Sequence, residues 1–184
     1  MDFIKLAASR RSTRRYKKDL PVPREHLEIC ADSARRSPSA CHSQPWKFVI
    51  VDDKTLSSKI SKHVVSGIYK MNSFASDATA FIAIVSEKVK TPAWAGGKLM
   101  GTDFSLVDAG IACAHIVLQA EDLGIGACIL GWFNERRLKK ILSIPRGKKV
   151  KLLVAMGYPE EKSVREKSLK PREKTVSFNG YDLP

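Results

Sequence analysis

The feature that most constrains the fold is the run of residues 104–123, which is apolar on most of its helical faces. Its apolar positions are Leu106, Val107, Ile111, Ala112, Ala114, Ile116, Val117 and Leu118. A helix that is apolar nearly all round is normally buried. We therefore expect a central helix, packed within the chain or against its twin in a dimer, with Gly124 as its stop signal.

Length and composition fit one globular domain. The chain has 184 residues, of which 43% are hydrophobic, enough to build a core and to offset the ordering entropy. Apolar stretches such as 78–85 fall short of the roughly 20 residues that a bilayer span needs, so we expect no membrane helix. Asp2 follows Met1 directly, without the apolar region of a secretory signal. The cysteines lack a C-x-x-C spacing, so we expect reduced thiols in a cytoplasmic protein.

The net charge of +13 is concentrated in two segments. Residues 1–18 hold seven lysines and arginines against one acidic residue, and residues 134–174 hold fourteen against five. Two such segments can converge on one anion, for example a cofactor phosphate, or can form a solvated surface. A nucleic-acid-binding protein is the alternative that net charge suggests. It is disfavoured, because exposed aromatic residues are not interleaved with the cations and no nucleic-acid motif is recognisable.

Apolar periodicity predicts alternating helices and strands. Helices are expected at 1–9, 23–36, 55–66 and 104–123, and from a cap at Asn134 to Leu142. Strands are expected at 46–51 and 78–85, as a short strand within 125–133, and at 150–156. The tail, residues 160–184, is too polar for a core of its own and must lie along something such as a second subunit. The pattern indicates an α+β or three-layer protein, with strands buried between helices.

Familiar phosphate-binding motifs are incomplete. Gly124 and Gly126 lack the third glycine of a dinucleotide-binding fingerprint. Gly97-Lys98 is followed by Leu99 rather than by the hydroxyl residue of a Walker motif.

Metal and nucleophile patterns are weak as well. His26 with Cys30, and Cys41 with His42, lack further ligands at matching spacing, so we expect no metal site. A nucleophilic cysteine at 41 or 113 has no supporting signature. We therefore expect no catalytic side chain and infer that the chemistry resides in a bound cofactor.

Three segments carry the chemistry that is present. The arginine segment, residues 10–16, reads Arg-Arg-Ser-Thr-Arg-Arg-Tyr and offers guanidinium and hydroxyl donors suited to phosphate. The small-residue loop, residues 37–46, reads Ser-Pro-Ser-Ala-Cys-His-Ser-Gln-Pro-Trp and lets backbone amides approach a flat ligand. The glycine segment, residues 124–133, reads Gly-Ile-Gly-Ala-Cys-Ile-Leu-Gly-Trp-Phe and permits close backbone approach in apolar surroundings. A solvated basic turn and ordinary loops are the plainer interpretations.

In this order, the three segments resemble the nitroreductase family of FMN-dependent oxidoreductases. Residues 39–46 resemble its S-x-x-N-x-Q-P-W motif, and the likeness extends through Asp108-Ala109-Gly110, Val154–Pro159 and Lys170-Pro171. The resemblance implies an α+β three-layer fold with a mixed central sheet flanked by helices. It also implies one FMN-binding domain over 1–184, in a domain-swapped homodimer whose tail from about residue 160 crosses to the partner.

The resemblance also implies the cofactor site. It assigns Arg10, Arg11 and Ser12 to the FMN phosphate and ribityl chain, and Arg14 to the N1 and O2 edge of the ring. It assigns the following further residues to the cofactor: Pro38, Ser39 and Ala40 from the partner subunit; His42 and Gln44; Ile129, Leu130 and Gly131 near N5; and Lys170 or Arg172 at the phosphate. His42 departs from the family, which commonly has Asn there.

The function implied is ping-pong hydride transfer from NADH or NADPH, through flavin N5, to a flat acceptor such as a nitroaromatic or quinone. The alternative is a flavin-binding or flavin-modifying relative without nitroreductase activity. Residues 89–102 are the candidate lid over the site, and Trp94 and Phe74 are candidate channel residues or plain core.

Overall fold

The computed structural model describes residues 2–64, 71–161 and 167–181. Within these ranges the chain forms six α-helices and four β-strands. The helices are α1 (Phe3–Ser9), α2 (Arg24–Arg35), α3 (Lys54–Val64), α4 (Thr91–Met100), α5 (Phe104–Asp122) and α6 (Glu135–Ile141). The strands are β1 (Trp46–Val51), β2 (Ala80–Ser86), β3 (Gly126–Leu130) and β4 (Val150–Gly157).

The strands form one sheet in the order β1-β2-β4-β3. All three strand pairs are antiparallel. The mixed sheet that the resemblance implied is therefore not found among the described strands: β2 and β3 run in the same direction, but β4 lies between them and pairs antiparallel with both. Parallel pairing appears there as a single bridge, between Ser12 and Ala127.

Helices cover both faces of the sheet. Side chains alternate across a strand, and β2 is buried on both sides, with Ile82 in one core and Phe81 in the other. Leu27 of α2 and Ile116 of α5 belong to the first core, and Leu138 of α6 belongs to the second. The predicted α+β three-layer architecture is confirmed.

The central helix was predicted almost to its ends. Asp103 caps α5: its Oδ1 accepts hydrogen bonds from Ser105 N–H at 3.1 Å and from the Ser105 hydroxyl at 2.5 Å. In the part of the chain that the structure describes, α5 is the one helix long and apolar enough, by length and composition, to cross a membrane. The expectation that no segment reaches that length is wrong. An 18-residue stretch of α5 has a mean hydropathy of 1.3 and is 44% buried within this chain. The helix packs on α2 and the sheet.

The other elements begin and end close to the predicted residues. The helix expected at 55–66 is α3, and residues 65 and 66 lie outside the described ranges. The candidate lid contains α4, with Pro92 in its first turn. The described part of the tail, 167–181, is almost wholly exposed and contains one short 3-10 turn, Arg172–Lys174.

Candidate functional site

The arginine segment lies across the adjoining ends of β3 and β4. Thr13 donates its backbone N–H to the Ala127 carbonyl at 3.0 Å. The Tyr16 ring is fully buried, and its hydroxyl donates toward the carbonyls of Thr13 at 2.8 Å and Ala155 at 3.2 Å. Tyr16 also bridges to Pro159. The segment is therefore fixed to the sheet, so its arginines project from a rigid support.

Two glycines make room for this segment. Gly126 of β3 and Gly157 of β4 face each other in the strand register. A Cβ on Gly126 would lie 2.7 Å from the Thr13 side chain, and a Cβ on Gly157 would lie 2.9 Å from Cδ1 of Tyr16. Both distances are shorter than a carbon–carbon contact allows. Glycine at both positions is what lets residues 13–16 approach the strands so closely.

Alternate side chains of the segment converge on β3. Burial raises the pKa of the Cys128 thiol. That rise is opposed by the Arg14 charge, by a hydrogen bond from Ser12 and by the Arg10 charge. Arg10, Ser12 and Arg14 thus share one side of the segment, as the two-residue period of an extended chain requires. The Arg14 guanidinium lies 5.7 Å from the Phe74 ring centroid. The structure therefore brings together three of the four residues predicted within this segment.

A further cation, Lys167, joins the segment at the end of α1. Its Nζ donates to the Ala7 carbonyl. Its pKa is lowered by desolvation and by the charges of Arg10 and Arg11, while Glu121 opposes that lowering. Lys167 therefore lies close enough to Arg10 and Arg11 for their charges to repel it, and a phosphate beside them would relieve that repulsion.

Sequence reasoning missed Lys167 and named Lys170 and Arg172 instead. Both are exposed, and the Arg172 guanidinium lies 6.0 Å from the Phe178 ring centroid. The available signal was the cluster of cations in the tail, which does not reveal which lysine reaches α1.

The small-residue loop holds an unusual backbone. Cys41, His42 and Gln44 have φ values of 50°, 51° and 48°. Such left-handed conformations are uncommon for residues other than glycine and tend to occur at functional sites. The Ser39 hydroxyl accepts the Gln44 N–H at 2.9 Å and holds the turn closed.

The side chains of this loop also have defined partners. The Gln44 amide nitrogen lies 2.8 Å from Nε2 of His42, so His42 accepts there when it is neutral. The Ala40 N–H donates to Oδ1 of the buried Asp108 in α5 at 3.1 Å. The other oxygen of Asp108 is buried without a hydrogen-bond partner among the described residues. Pro38 is exposed.

The end of β3 presents backbone to solvent. Leu130 is buried, whereas Ile129 and Gly131 are exposed. The Asn72 amide donates to the Trp132 carbonyl at 2.7 Å and fixes the chain where it leaves the strand. Backbone at Gly131 is thus held in place without a covering side chain.

These features do not all meet within one chain. Arg10, Ser12 and Arg14 gather at β3, whereas the described contacts of the small-residue loop run to Asp108 and to the Lys90 N–H, which donates to Ser43. The roles assigned to the fourteen predicted cofactor residues stay predictions.

The buried thiols are poor nucleophiles. Burial raises the pKa of both Cys30 and Cys113 to about 12. Cys41 is exposed, and all four cysteines are free. Among the described residues, no group of three or more histidine, cysteine or acidic side chains could hold a metal ion.

The candidate lid borders a cavity of about 390 Å³ between α4 and the start of α5. Trp94 is half-exposed at its edge, with Lys98 Nζ 5.1 Å from the ring centroid. Phe74 instead lies under Arg14. The two candidate channel residues therefore occupy different places.

The structure is thus that of an α+β protein whose arginine segment is fixed to the sheet and lies beside a further cation, Lys167. The chain matches the nitroreductase family over residues 7–158 and belongs to that family, whose members are flavin-dependent oxidoreductases.

Similar proteins cover nearly the whole chain. An NADH dehydrogenase from Thermus thermophilus is 28% identical over 96% of this chain and 95% of its own. An iodotyrosine deiodinase from Thermotoga neapolitana is 24% identical, in an alignment that covers 85% of this chain and 88% of the deiodinase. The structure of an FMN-dependent nitroreductase from Clostridium difficile R20291 is 27% identical, with a TM-score of 0.74 over 96% of this chain and 99% of that one.

Proposed function

We propose that this protein is an FMN-dependent oxidoreductase that takes hydride from NADH or NADPH and reduces a flat acceptor in a ping-pong cycle. The observation that carries the proposal is that Arg10, Ser12 and Arg14 lie beside Cys128 of β3, while Lys167 lies beside Arg10 and Arg11 at the end of α1. Family membership and the names of the relatives support it.

The donor set fits FMN. Arg10, Arg11 and Lys167 offer three cations, and Ser12 a hydroxyl, for a phosphate dianion and the start of the ribityl chain. Arg14 supplies positive charge for the pyrimidine edge, where negative charge accumulates on reduction. When bound, FMN supplies the two-electron chemistry, and the side chains supply position, exclusion of water and charge.

We further propose a homodimer that completes the site. The resemblance assigns Pro38, Ser39 and Ala40 to the partner's cofactor, and the loop's own contacts lead away from the arginine segment. Leu106 and Val107 of α5 are about half exposed, on the face turned away from the core. Burying that face and the exposed tail against a second copy would remove this apolar surface from water.

An absorption spectrum of the purified protein, with FMN and then anaerobic NADH or NADPH, tests the proposal. We expect a flavin spectrum that bleaches with at least one nucleotide and recovers when a quinone or nitroaromatic is added. A protein that ignores FMN would refute the proposal. Bound flavin that no nicotinamide reduces would identify the alternative, a flavin-binding or flavin-modifying relative.

Arg14→Ala and Arg15→Ala form a matched pair for the site. Both remove one exposed arginine from the same segment, but only Arg14 is among the side chains that converge on Cys128. A charge-assisted hydrogen bond contributes roughly 1.5–3 kcal/mol, so Arg14→Ala should weaken FMN binding about tenfold or more. Arg15→Ala should leave the FMN dissociation constant within about twofold. Equal losses in both variants would assign the effect to net charge alone.

A further inference from the structure

The part of the second basic segment that precedes the tail, residues 135–151, does not enter the proposed flavin site. Residues 135–151 contain eight lysines and arginines and one acidic residue, Glu135. Two of the eight are ion-paired with acids elsewhere, Lys148 with Glu87 and Lys151 with Asp103. The segment therefore keeps a large excess of positive charge that these contacts do not compensate.

A cavity of about 810 Å³ opens within this segment, between α6 and the loop that follows it. It is lined by Glu135, Arg136, Lys139, Lys140, Ser143, Ile144, Pro145 and Arg146. Its volume falls in the range of roughly 300–1,000 Å³ that is typical of small-molecule sites. The arginine segment does not line it.

The cavity wall is rigidly built. Lys139 Nζ donates to the carbonyls of Arg146 at 2.8 Å and Lys148 at 2.6 Å, which ties the loop to α6. The Glu135 carboxylate accepts the Val150 N–H at 3.0 Å and lies 3.8 Å from Lys139 Nζ. Glu135 and Lys139 are therefore engaged in holding the fold, and Glu135 is the one acidic residue among the described residues that line the cavity.

The remaining cations line the cavity from two elements. Arg136 and Lys140 are four residues apart on α6, so they lie on the same face, where like charges destabilise a helix. Arg146 lines the cavity from the tethered loop, and Ser143 adds a hydroxyl. An anion in the cavity would turn this repulsion into attraction and would receive bidentate donors from the guanidinium groups.

We propose that this cavity, the α6 cavity, binds a compact ligand with two adjacent phosphate groups, separately from the flavin. Three cations on two sides match the charge of a diphosphate. The described residues of the lining contain no aromatic ring on which a nucleobase could stack, so the recognition is of the phosphates and not of a base. A free diphosphate and the diphosphate of a dinucleotide share this chemistry.

The proposal is tested by calorimetric titration of the purified protein with inorganic pyrophosphate. A salt concentration of about 0.15 M screens the long-range attraction between the net positive charge of the protein and the anion. We expect saturable binding of one pyrophosphate per chain at this cavity, weakened about tenfold by Lys140→Ala and by Arg146→Ala. Arg137→Ala is the matched control, because Arg137 is exposed on the same helix and does not line the cavity. Lys47→Ala removes an exposed charge on β1.

Both control variants should bind within about twofold of the parent. Absence of saturable binding would overturn the proposal, and so would an Arg137→Ala loss equal to that of Lys140→Ala, since the attraction would then be diffuse. Displacement of pyrophosphate by NAD⁺ would identify the dinucleotide as the source, and lack of displacement would identify a free diphosphate. Flavin content, read from the absorption spectrum, should be unchanged in Lys140→Ala, which separates this site from the proposed FMN site.

Discussion

Gly126→Ala tests whether the close approach of the arginine segment to β3 determines cofactor binding. The added Cβ would lie 2.7 Å from both Cγ2 and Oγ1 of Thr13 and 2.9 Å from its Cβ. Carbon atoms in contact normally lie about 3.5–4.0 Å apart. Either β3 or the arginine segment must therefore move by roughly 1 Å, in a place where the Thr13 N–H is bonded to the Ala127 carbonyl.

The magnitude follows from two opposing effects. Overpacking typically costs about 1–3 kcal/mol. Replacing glycine by alanine in a strand recovers roughly 0.5–1 kcal/mol of backbone entropy. We expect a net decrease of about 1–2 kcal/mol in the free energy of unfolding. Displacing Arg10 and Arg14 together should also weaken FMN binding about tenfold, the equivalent of one charge-assisted hydrogen bond.

Urea denaturation of the apoprotein and flavin titration by fluorescence measure these two effects separately. Gly147→Ala is the control, since nothing lies within 4 Å of the Cβ it would add, and it should be neutral or slightly stabilising. Thr13→Gly removes all three atoms that would clash, so the double variant should recover FMN affinity relative to Gly126→Ala. A Gly126→Ala protein as stable as Gly147→Ala, with unchanged FMN affinity, would refute the reasoning.

Three further outcomes are expected. Tyr16→Phe leaves the buried Ala155 carbonyl without the phenol donor and should lower the free energy of unfolding by about 1–2 kcal/mol in urea denaturation; an unchanged value would contradict the anchoring role. Hydrogen bonds from Ser105, and Lys151, hold the pKa of Asp103 below its usual range. This stabilisation is complete above the unfolded pKa of about 3.9 and is lost as pH falls through the lower folded value. The free energy of unfolding of Asp103→Asn should therefore change less with pH below about pH 4 than that of the parent. An unchanged pH dependence in the variant would refute this. Leu106→Glu should shift light-scattering mass toward the monomer and reduce FMN retention; a dimer with full flavin would refute the proposed interface.

The sequence predicts local elements well because their signals are local. Periodicity places the ends of α5 within a residue, and Asn134 does cap α6, accepting the Arg137 N–H at 3.1 Å. The sheet order is a different problem. β2 pairs with β4 across a connection that holds α4, α5, β3 and α6, and nothing in either strand's composition specifies that partner.

For the candidate site, the sequence is informative where residue type itself carries the signal. Four arginines in six positions are unusual enough to indicate an anion site. Lys167 has no such signal, because it is one of several tail cations and is distinguished only by its contact with Ala7. The left-handed φ of His42 was also beyond sequence reasoning, since a histidine in a sequence does not by itself indicate that conformation.

The basic residues of the chain fall into two arrangements, and one of them draws on both basic segments. The sequence left open whether its two basic segments converge on a single anion. In the described residues the first segment gathers with Lys167 at the end of α1, whereas the ion pairs of residues 135–151 run to Glu87 and Asp103. The two proposed phosphate sites should respond differently to salt. Ring contacts also hold the flavin in the first proposal, whereas recognition in the α6 cavity rests on the phosphates, so rising ionic strength should empty the cavity while flavin is retained.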